Sequence, residues 1–219
     1  MSAAPTGGSR GGLPERALGS RLPAMKAPWT VGTVGEPAEL EQILALQRAN
    51  LAANISAEEA HAQGFVTAVH DLESLQRMHA LAPSIVARGA VALAGYALSM
   101  CVEARPWVPI LDPMFQLLET LSWRGRALTA LRFYVMGQIC VAKPFRGQGV
   151  FDALYRGHRD HYADRFELLV TEVSLRNARS LRAHERVGFE PLHRYRDSVD
   201  DWVILGWNWE PGARILPGT

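Results

Sequence analysis

The stretch GQICVAKPFRGQGVFDALY, residues 137–155, decides the fold of this 219-residue chain. The apolar run over residues 131–142 predicts a strand, and it ends at a turn that contains Gly147 and Gly149. After the turn, large side chains recur at helical spacing and mark one face of a predicted helix: Val150, Leu154, Tyr155, His158 and Tyr162. The stretch therefore predicts a strand, a glycine turn and a helix in direct succession.

This turn is suited to hold an anion. The first turn of a helix offers free backbone N–H groups and a partial positive charge. Gly147 and Gly149 let a ligand approach the backbone without meeting a Cβ atom, and Arg146 adds a full charge. These features favour a diphosphate as the ligand. The sequence has no GKS or GKT and no chain-opening G-x-G-x-x-G, so a P-loop or dinucleotide fold is not indicated, although R-G-Q-G alone also fits a plain tight turn.

A second motif follows in EVSLRNARSLRAHERVGF, residues 172–189. The two motifs in this order resemble the GNAT family of acyl-CoA-dependent N-acyltransferases. That family has Q/R-x-x-G-x-G/A after its fourth strand and N-x-x-S/A-x-x-x-Y-x-x-x-G-F after its fifth. The first motif matches at Arg146 and Gly149, with Phe151 where Gly or Ala is usual. The second has histidine where tyrosine is usual, and its positions are Asn177, Ser180, His184, Gly188 and Phe189.

The resemblance implies an α+β fold: a mixed, mostly antiparallel central sheet of about six or seven strands, flanked by helices and splayed at the fourth and fifth strands. We expect the acyltransferase domain over residues 29–210, a disordered basic tail over 1–28 and a C-terminal tail over 211–219. Met25 is an alternative start. Hydrophobic periodicity, caps and turns predict strands at 29–34, 65–70, 84–89, 91–100, 131–142, 167–174, 191–197 and 201–209, and helices at 36–51, 56–64, 71–82, 112–121, from 150, and at 177–189.

Acetyl-CoA is the cosubstrate that the resemblance implies. Its pyrophosphate would be held by backbone N–H groups of the turn: Arg146, Gly147, Gln148, Gly149, Val150 and Phe151. Its pantetheine arm would pair with the strand backbone at Ile139, Cys140 and Val141, and the second motif adds Asn177, Ser180 and His184. We expect Cys140 to be a small apolar strand residue rather than a nucleophile. Phe151 either narrows the approach to the phosphates or turns inward as a core residue, and we favour the inward orientation. We expect no metal ion.

Acyl transfer to an amine needs a base for the amine, an acid for the leaving thiolate and donors for the oxyanion. Glu172 interrupts an apolar strand, where burial raises a carboxyl pKa. It also stands five residues before Asn177, the spacing of the base in the ribosomal-protein N-terminal acetyltransferases that it resembles. The alternative is a structural carboxylate, for instance one paired with an arginine. His184 is either the acid or a packing residue that bonds the backbone, and the oxyanion donor is the N–H of Ile139 or Val141.

Other residues give weaker expectations. Three acidic residues cluster at the last hairpin: Asp197, Asp200 and Asp201. They either attract a cationic amine or belong to a solvated turn. His158 and His161 are expected at the surface or half-buried. Three tyrosines are unranked candidates for the acceptor pocket: Tyr96, Tyr134 and Tyr195. The long segment 103–132 is expected to cover the acceptor cleft and to select a small molecule over a protein tail.

Composition limits the class of function. The formal net charge is +1, which does not favour a general nucleic-acid or membrane-surface role, and no apolar run has the length of a membrane span. The 2 cysteines are far apart and suit a reducing compartment, so we expect a cytoplasmic protein. We expect either a monomer or a homodimer. The leading prediction is an acetyl-CoA-dependent N-acetyltransferase that transfers directly to an amine in a ternary complex. The alternatives are a non-catalytic acyl-CoA-binding or sensing module and, more weakly, a nucleic-acid-associated protein that binds through its basic tail.

Overall fold

The computed structural model describes residues 28–198 and 200–209. The tails predicted over 1–28 and 211–219, and the alternative start at Met25, lie outside the described residues apart from Pro28, so those boundaries stay predictions. The helices are α1 (Pro37–Asn50), α2 (Ala57–Gln63), α3 (Leu72–Leu81), α4 (Asp112–Leu118), α5 (Val150–Tyr162) and α6 (Ala178–Val187). The strands are β1 (Thr30–Thr33), β2 (Ile85–Arg88), β3 (Leu93–Met100), β4 (Ser122–Trp123), β5 (Arg126–Ala127), β6 (Phe133–Val141), β7 (Leu168–Ser174), β8 (Glu190–Arg196) and β9 (Asp201–Asn208).

Seven strands form the central sheet in the order β1-β2-β3-β6-β7-β9-β8. Every neighbouring pair is antiparallel except β6 and β7, which are parallel. Strands β4 and β5 form a separate hairpin, which turns through Arg124 and Gly125 with φ of 49° and 81°. The predicted fold class, a mostly antiparallel sheet of six or seven strands flanked by helices, is confirmed.

Strands β6 and β7 separate after a short contact. Their register covers only Phe133↔Leu168, Tyr134↔Leu169 and Val135↔Val170. One step further, the Thr171 hydroxyl still donates to the Met136 carbonyl at 3.0 Å. Beyond this point β7 stays paired with β9 up to Ser174, while β6 stays paired with β3. These are the predicted fourth and fifth main strands, and the expected splay lies between them.

The two faces of the sheet carry separate hydrophobic clusters, because successive strand residues point to opposite faces. Helices α1, α3 and α4 cover one face with side chains that include Leu40, Ile43, Met78, Met114 and Leu118. Helix α5 and the end of α6 cover the other face, where the buried residues include Leu154, Tyr155, Phe189 and Trp207. Both clusters reach the point where β6 and β7 separate, so the splay opens between two packed layers.

Residues 102–130 lie over the face covered by α1. They contain α4, the β4–β5 hairpin and three short 3-10 helices, Val102–Trp107, Pro109–Leu111 and Leu128–Ala130. The hairpin is docked tightly, since a Cβ atom added to Gly206 in β9 would lie 2.9 Å from the ring of Trp123. Within the described ranges, no helix combines the length and the apolar character that crossing a membrane requires.

The strand predicted over residues 65–70 is wrong. This segment is extended, and its alternating burial resembles that of a strand, with Val66, Ala68 and His70 buried. It makes only one isolated bridge, Leu51↔Val66, and no strand runs beside it along the described chain. Its alternation reflects packing against the protein on one side, which is the same signal that a strand produces.

Candidate functional site

The glycine turn has the geometry of an anion cradle. Gly147 and Gly149 have φ of 75° and 78°, and Gly149 is the N-cap of α5 without a side chain capping the helix. When residues before a helix alternate between left-handed and other backbone conformations, their consecutive N–H groups point toward one position. A Cβ atom added to either glycine would meet nothing within 4 Å. Glycine is therefore needed here for its backbone conformation, and the space beside both glycines is open.

Arg146 ties this turn to the N-terminal helices. Its Nη2 donates to Asn50 Oδ1 at 2.6 Å, and its Nε donates to the Val141 carbonyl at 3.2 Å. Its Nη1 lies 3.4 Å from Glu59 in α2, which also pairs with Lys143 at 2.8 Å. The hydrogen bond from Lys143 holds the Glu59 pKa below its usual value. The guanidinium of Arg146 thus has three partners within the protein, and its predicted role in binding a phosphate stays a prediction.

A cavity of about 560 Å³ extends from the turn along β6 to α6. It is lined by most of the predicted cofactor positions: Ile139, Cys140, Val141, Arg146, Gly147, Gly149, Val150, Phe151, Asn177 and Ser180. Gln148 does not line it, because its side chain bends back and donates to the Pro144 carbonyl at 2.7 Å. Its wall also contains residues that motif spacing did not single out, including Asn50, Phe65, Arg182 and Arg186. Only the folded arrangement of α1 and α6 brings those residues to the motif.

The backbone of β6 is open on the side of the splay. The Ala142 N–H donates to the Ala94 carbonyl of β3 at 2.9 Å. Since backbone groups alternate along a strand, those of Ile139 and Val141 point away from β3 into the opening, while those of Cys140 point toward β3. The Cys140 thiol is buried, and burial raises its pKa to about 12. The thiol therefore stays protonated, which agrees with an apolar strand residue.

A smaller cavity of about 80 Å³ lies between the separated ends of β6 and β7. It adjoins the larger one, because both are lined by Phe65, Val66, Ile139, Asn177 and Ser180. Glu172 lines the smaller cavity, and most of its other wall is apolar, with Leu111, Met114 and Trp202. Leu111 and Met114 belong to the segment 103–132, so this segment forms part of the cleft wall.

Glu172 is a titratable group in the wall of the smaller cavity, close to where the two cavities adjoin. Burial raises its pKa to about 7, although a hydrogen bond from Tyr195 acts in the opposite direction. The Tyr195 hydroxyl donates to Glu172 Oε2 at 2.5 Å, and the charge of Asp197 adds to the rise in pKa. Among the described residues, no arginine or lysine forms an ion pair with Glu172. A carboxyl with this pKa exchanges protons readily near neutrality.

His184 is buried and neutral. Its Nδ1 lies 2.8 Å from the Ser180 carbonyl, so this nitrogen carries the proton, and its Nε2 accepts from the Tyr155 hydroxyl at 2.6 Å. Burial lowers its pKa to about 4. The ring of Phe151 packs edge-on against it at 5.2 Å, so Phe151 turns partly inward while still lining the larger cavity. These contacts support the packing alternative for His184, and the acid role stays a prediction.

The structure separates the three tyrosine candidates. Tyr195 bonds Glu172, whereas Tyr96 donates to Gln138 at 2.6 Å inside the core. Tyr134 is buried and bonds Nδ1 of His158 at 2.8 Å. The expectation that His158 is exposed or half-buried is wrong, because its side chain is fully buried in this aromatic cluster, which lowers its pKa to about 3. Its spacing with Tyr155 and Tyr162 on one helix face was the signal that it shares the buried side of α5.

The acidic residues of the last hairpin are paired. Asp200 accepts from Arg176 at 2.7 Å and from the Ser174 hydroxyl at 2.6 Å. Asp201 accepts from Arg196 at 2.5 Å. These arginines neutralise the two carboxylates, so the expected attraction of a cationic amine has no support here. Over residues 28–198 and 200–209, no cluster of three or more His, Cys, Asp or Glu side chains is arranged to hold a metal ion.

Solved structures resemble the chain, although no family model and no curated protein matches its sequence. A GNAT-family acetyltransferase from Streptococcus agalactiae 2603 superposes with a TM-score of 0.56 at 14% identity, over 82% of this chain and 95% of that one. The chain therefore has the fold of the GNAT acetyltransferases.

Two further structures show the same fold. One is the ribosomal-protein-S18-alanine N-acetyltransferase from Escherichia coli, with a TM-score of 0.52 at 15% identity, over 86% of this chain and 98% of that one. The other is yncA, a putative acetyltransferase from Salmonella typhimurium with its cofactor acetyl-CoA. It superposes with a TM-score of 0.52 at 13% identity, over 87% of this chain and 99% of that one.

Replacing Gly149 by alanine tests the cradle. A non-glycine residue at positive φ costs about 1–2 kcal/mol, so Gly149→Ala lowers the melting temperature and moves the N–H groups away from their common point. Gly125→Ala is the matched control, because Gly125 has φ of 81°, has nothing within 4 Å of an added Cβ and lines neither cavity. In thermal unfolding with acetyl-CoA, we expect both variants to be destabilised and only Gly149→Ala to lose the ligand-induced stabilisation. Equal stabilisation by acetyl-CoA in both would contradict the cradle.

The Tyr155–His184 pair gives a stability prediction. His184→Phe leaves the buried Tyr155 hydroxyl without its acceptor, which costs about 1–3 kcal/mol of unfolding free energy. Adding Tyr155→Phe removes the orphaned group, so the double variant should recover part of that loss. Urea unfolding of the two single variants and the double variant measures the coupling. Strictly additive losses would mean that the two side chains do not form this hydrogen bond.

Proposed function

We propose that this protein is an acetyl-CoA-dependent N-acetyltransferase that transfers the acetyl group directly to a small-molecule amine in a ternary complex. The observation that carries the proposal is the meeting of two cavities at the splay of β6 and β7. One contains the anion cradle, and the other contains a carboxyl with a pKa of about 7. A thioester held in the first has its carbonyl carbon at the entrance of the second. The fold likeness to a structure containing acetyl-CoA supports this choice of donor.

In the donor half, the N–H groups of residues 147–151 bind the pyrophosphate, and the open edge of β6 pairs with the pantetheine arm. Ile139 and Val141 are the residues whose backbone groups face that arm. One of their N–H groups is the donor for the tetrahedral oxyanion, as backbone donors serve in other acyl transfers. Arg182 lines the cavity and adds positive charge on the side of α6, whereas the charge of Arg186 in the same wall is paired with Asp152 at 2.7 Å.

Glu172 is the base of the proposed reaction. The ammonium form of the acceptor gives its proton to the Glu172 carboxylate, and the free amine attacks the thioester carbonyl carbon. The tetrahedral intermediate then collapses with cleavage of the C–S bond, and the attacking nitrogen loses its second proton to give the amide. The thiolate takes up one proton to give free coenzyme A, so the proton held by Glu172 is the net proton released to solvent. A pKa of about 7 leaves the carboxyl largely ionised just above neutrality while it remains basic enough to accept the proton.

The shape of the cleft favours a small acceptor. A volume of about 80 Å³ admits a chain end rather than a folded segment, and Leu111 and Met114 close one side of it. The hairpin at its edge offers paired rather than free carboxylates at Asp200 and Asp201. We therefore propose an amine carried on a short, weakly polar body, and we assign the segment 103–132 the role of selecting it.

His184 has two candidate roles with different consequences. As the acid for the thiolate, its loss in His184→Phe removes turnover while acetyl-CoA binding remains. As a packing residue, its loss lowers stability, and turnover follows the folded fraction. The neutral ring with both nitrogens bonded supports the packing role, which we adopt.

The second candidate function is a non-catalytic acyl-CoA-binding module. The observation in its favour is that His184, at the position of the usual tyrosine, lines the smaller cavity but has both ring nitrogens hydrogen-bonded within the protein. A protein that only binds acyl-CoA would have no use for a carboxyl with the raised pKa of Glu172, so this observation favours the enzyme. We place the protein in the cytoplasm, in keeping with two unpaired, buried cysteines, Cys101 and Cys140.

Replacing Glu172 by glutamine tests the proposed reaction. We expect Glu172→Gln to lower turnover by about 10²-fold or more while acetyl-CoA still stabilises the protein. In the parent, turnover should rise with pH up to about 7, as Glu172 ionises. Release of free thiol across a panel of amines measures both. The exposed Glu190→Gln is the control, and unchanged turnover of Glu172→Gln at every pH would remove Glu172 from the mechanism.

The same variant predicts a change in stability with pH. The pKa of Glu172 rises from 4.5 to about 7 on folding, so the folded state holds its proton more tightly than the unfolded state. This contribution to stability is complete below 4.5 and is lost as pH rises through about 7. Comparing unfolding free energies at several pH values should show this loss in the parent and not in Glu172→Gln. A parallel pH dependence in both proteins would contradict the buried carboxyl.

Removing the Tyr195 hydroxyl tests how Glu172 is tuned. The hydrogen bond from Tyr195 lowers the Glu172 pKa, so Tyr195→Phe should move the acidic limb of the rate profile to higher pH. Turnover should therefore fall more at pH 6 than at pH 9. Tyr162→Phe is a suitable control, since that hydroxyl bonds the Pro83 carbonyl and lines neither cavity. A uniform loss at all pH values would mean that Tyr195 acts by some other means.

A further inference from the structure

Two glutamine side chains meet in the core beside the smaller cavity. Gln47 of α1 donates from Nε2 to Oε1 of Gln138 in β6 at 2.9 Å. Tyr96 of β3 donates to the same oxygen at 2.6 Å. Gln47 is 0% exposed and Gln138 is 6% exposed. The amides therefore link a helix and two strands without contact with bulk water.

The remaining amide groups of this pair bond the backbone of the extended segment 65–70. Gln138 Nε2 donates to the Ala68 carbonyl at 2.8 Å, and the His70 N–H donates to Gln47 Oε1 at 3.0 Å. One amide thus supplies a donor and the other an acceptor, as a neighbouring strand would. The segment has no such strand, and the glutamines take its place.

This segment forms a wall of the cleft. Its residues Phe65, Val66, Thr67 and Ala68 line the smaller cavity that contains Glu172. Its first half is also held by the end of α1, since the Val66 N–H donates to the Asn50 carbonyl at 3.1 Å. Its second half, from Ala68 to His70, depends on the two glutamines. Ala68 lines only the smaller cavity, so this half faces the acceptor rather than the donor.

Burying two amides is costly unless each group is paired. Here both oxygens and both nitrogens have at least one hydrogen-bond partner. Apolar residues at the two positions would fill the same space but leave the Ala68 carbonyl and the His70 N–H unpaired. A satisfied polar network in a core specifies one arrangement more strictly than apolar packing does.

We propose that Gln47 and Gln138 are positioning residues that hold the segment 65–70 as the acceptor wall opposite Glu172. The proposal rests on the proposed function for the identity of the cleft. It assigns the glutamines no contact with the reacting atoms. Their loss moves the wall, so binding of the amine weakens while binding of acetyl-CoA and the chemistry at Glu172 are largely kept.

Hydrogen exchange tests the structural half of this proposal without any enzyme activity. Gln47→Met keeps the length of the side chain but removes both of its hydrogen bonds. We expect peptides covering residues 65–70 to exchange about tenfold faster in this variant, which corresponds to the loss of about one hydrogen bond. Gln42→Met is the matched control: Gln42 lies on the same helix and accepts from the Leu93 N–H at 3.1 Å, away from both cavities. Unchanged exchange in Gln47→Met, or an equal increase in Gln42→Met, would overturn the proposal.

Steady-state kinetics test the functional half. The probes are acetyl-CoA and the fastest acceptor in a panel of n-alkylamines from ethylamine to hexylamine. We expect Gln47→Met to raise KM for the amine about tenfold and to leave kcat and KM for acetyl-CoA within about twofold of the parent. A merely destabilised protein would lose kcat with its active fraction and keep both KM values. That result would overturn the positioning role.

The two proposals fail in different ways. If the parent acetylates no amine but acetyl-CoA stabilises it, the proposed catalysis fails, and hydrogen exchange still decides whether the glutamines hold the wall. If Gln47→Met does not fold, Tyr96→Phe serves as the second variant, because it removes only the hydroxyl bonded to Gln138. The same direction of change in exchange and in KM for the amine, at smaller size, is then expected. Its absence would overturn the proposal.

Discussion

The rest of the structure depends on how short the contact between β6 and β7 is. Parallel strands that stay paired bury their backbone groups in each other, but here the register ends after three residue pairs. Beyond it, β6 keeps β3 as its only sheet neighbour among the described strands, and β7 keeps β9. One edge of β6 is thereby left open in the middle of a sheet, between two hydrophobic layers. A donor substrate with its own amide groups is the natural partner for such an edge.

The sequence predicted the parts of the fold that short-range signals control. Gly147 and Gly149 marked the turn, Asn177 and Gly188 marked the ends of α6, and all of them have those roles in the structure. It failed at residues 65–70, where the alternation of buried and exposed residues is real but the partner is a pair of side chains from α1 and β6. A pattern of burial reports which side of a segment is covered, and it carries no information on what covers it.

At the candidate site, the sequence likewise identified the charged residues but not the residues that pair with them. Motif spacing placed Asn177, Ser180 and Glu172 near one another, and all three line the smaller cavity, because Glu172 lies close to the end of β7 and the other two begin α6. It did not show that Arg146 is engaged by Asn50 and Glu59, or that Asp200 is held by Arg176. Those partners come from distant parts of the chain, and single-residue reasoning counts each charge as free. The raised pKa of Glu172 was foreseeable, because a carboxyl in an apolar strand has few places to find a counter-charge.

The covering segment between β3 and β6 has an evolutionary consequence. It supplies Leu111 and Met114 to the cleft and contributes nothing to the glycine turn or to the lining of the larger cavity. Substitutions there can alter the smaller cavity while every residue of the larger one is kept. Under the proposed function, this separation would let the acceptor change during evolution while the donor is retained.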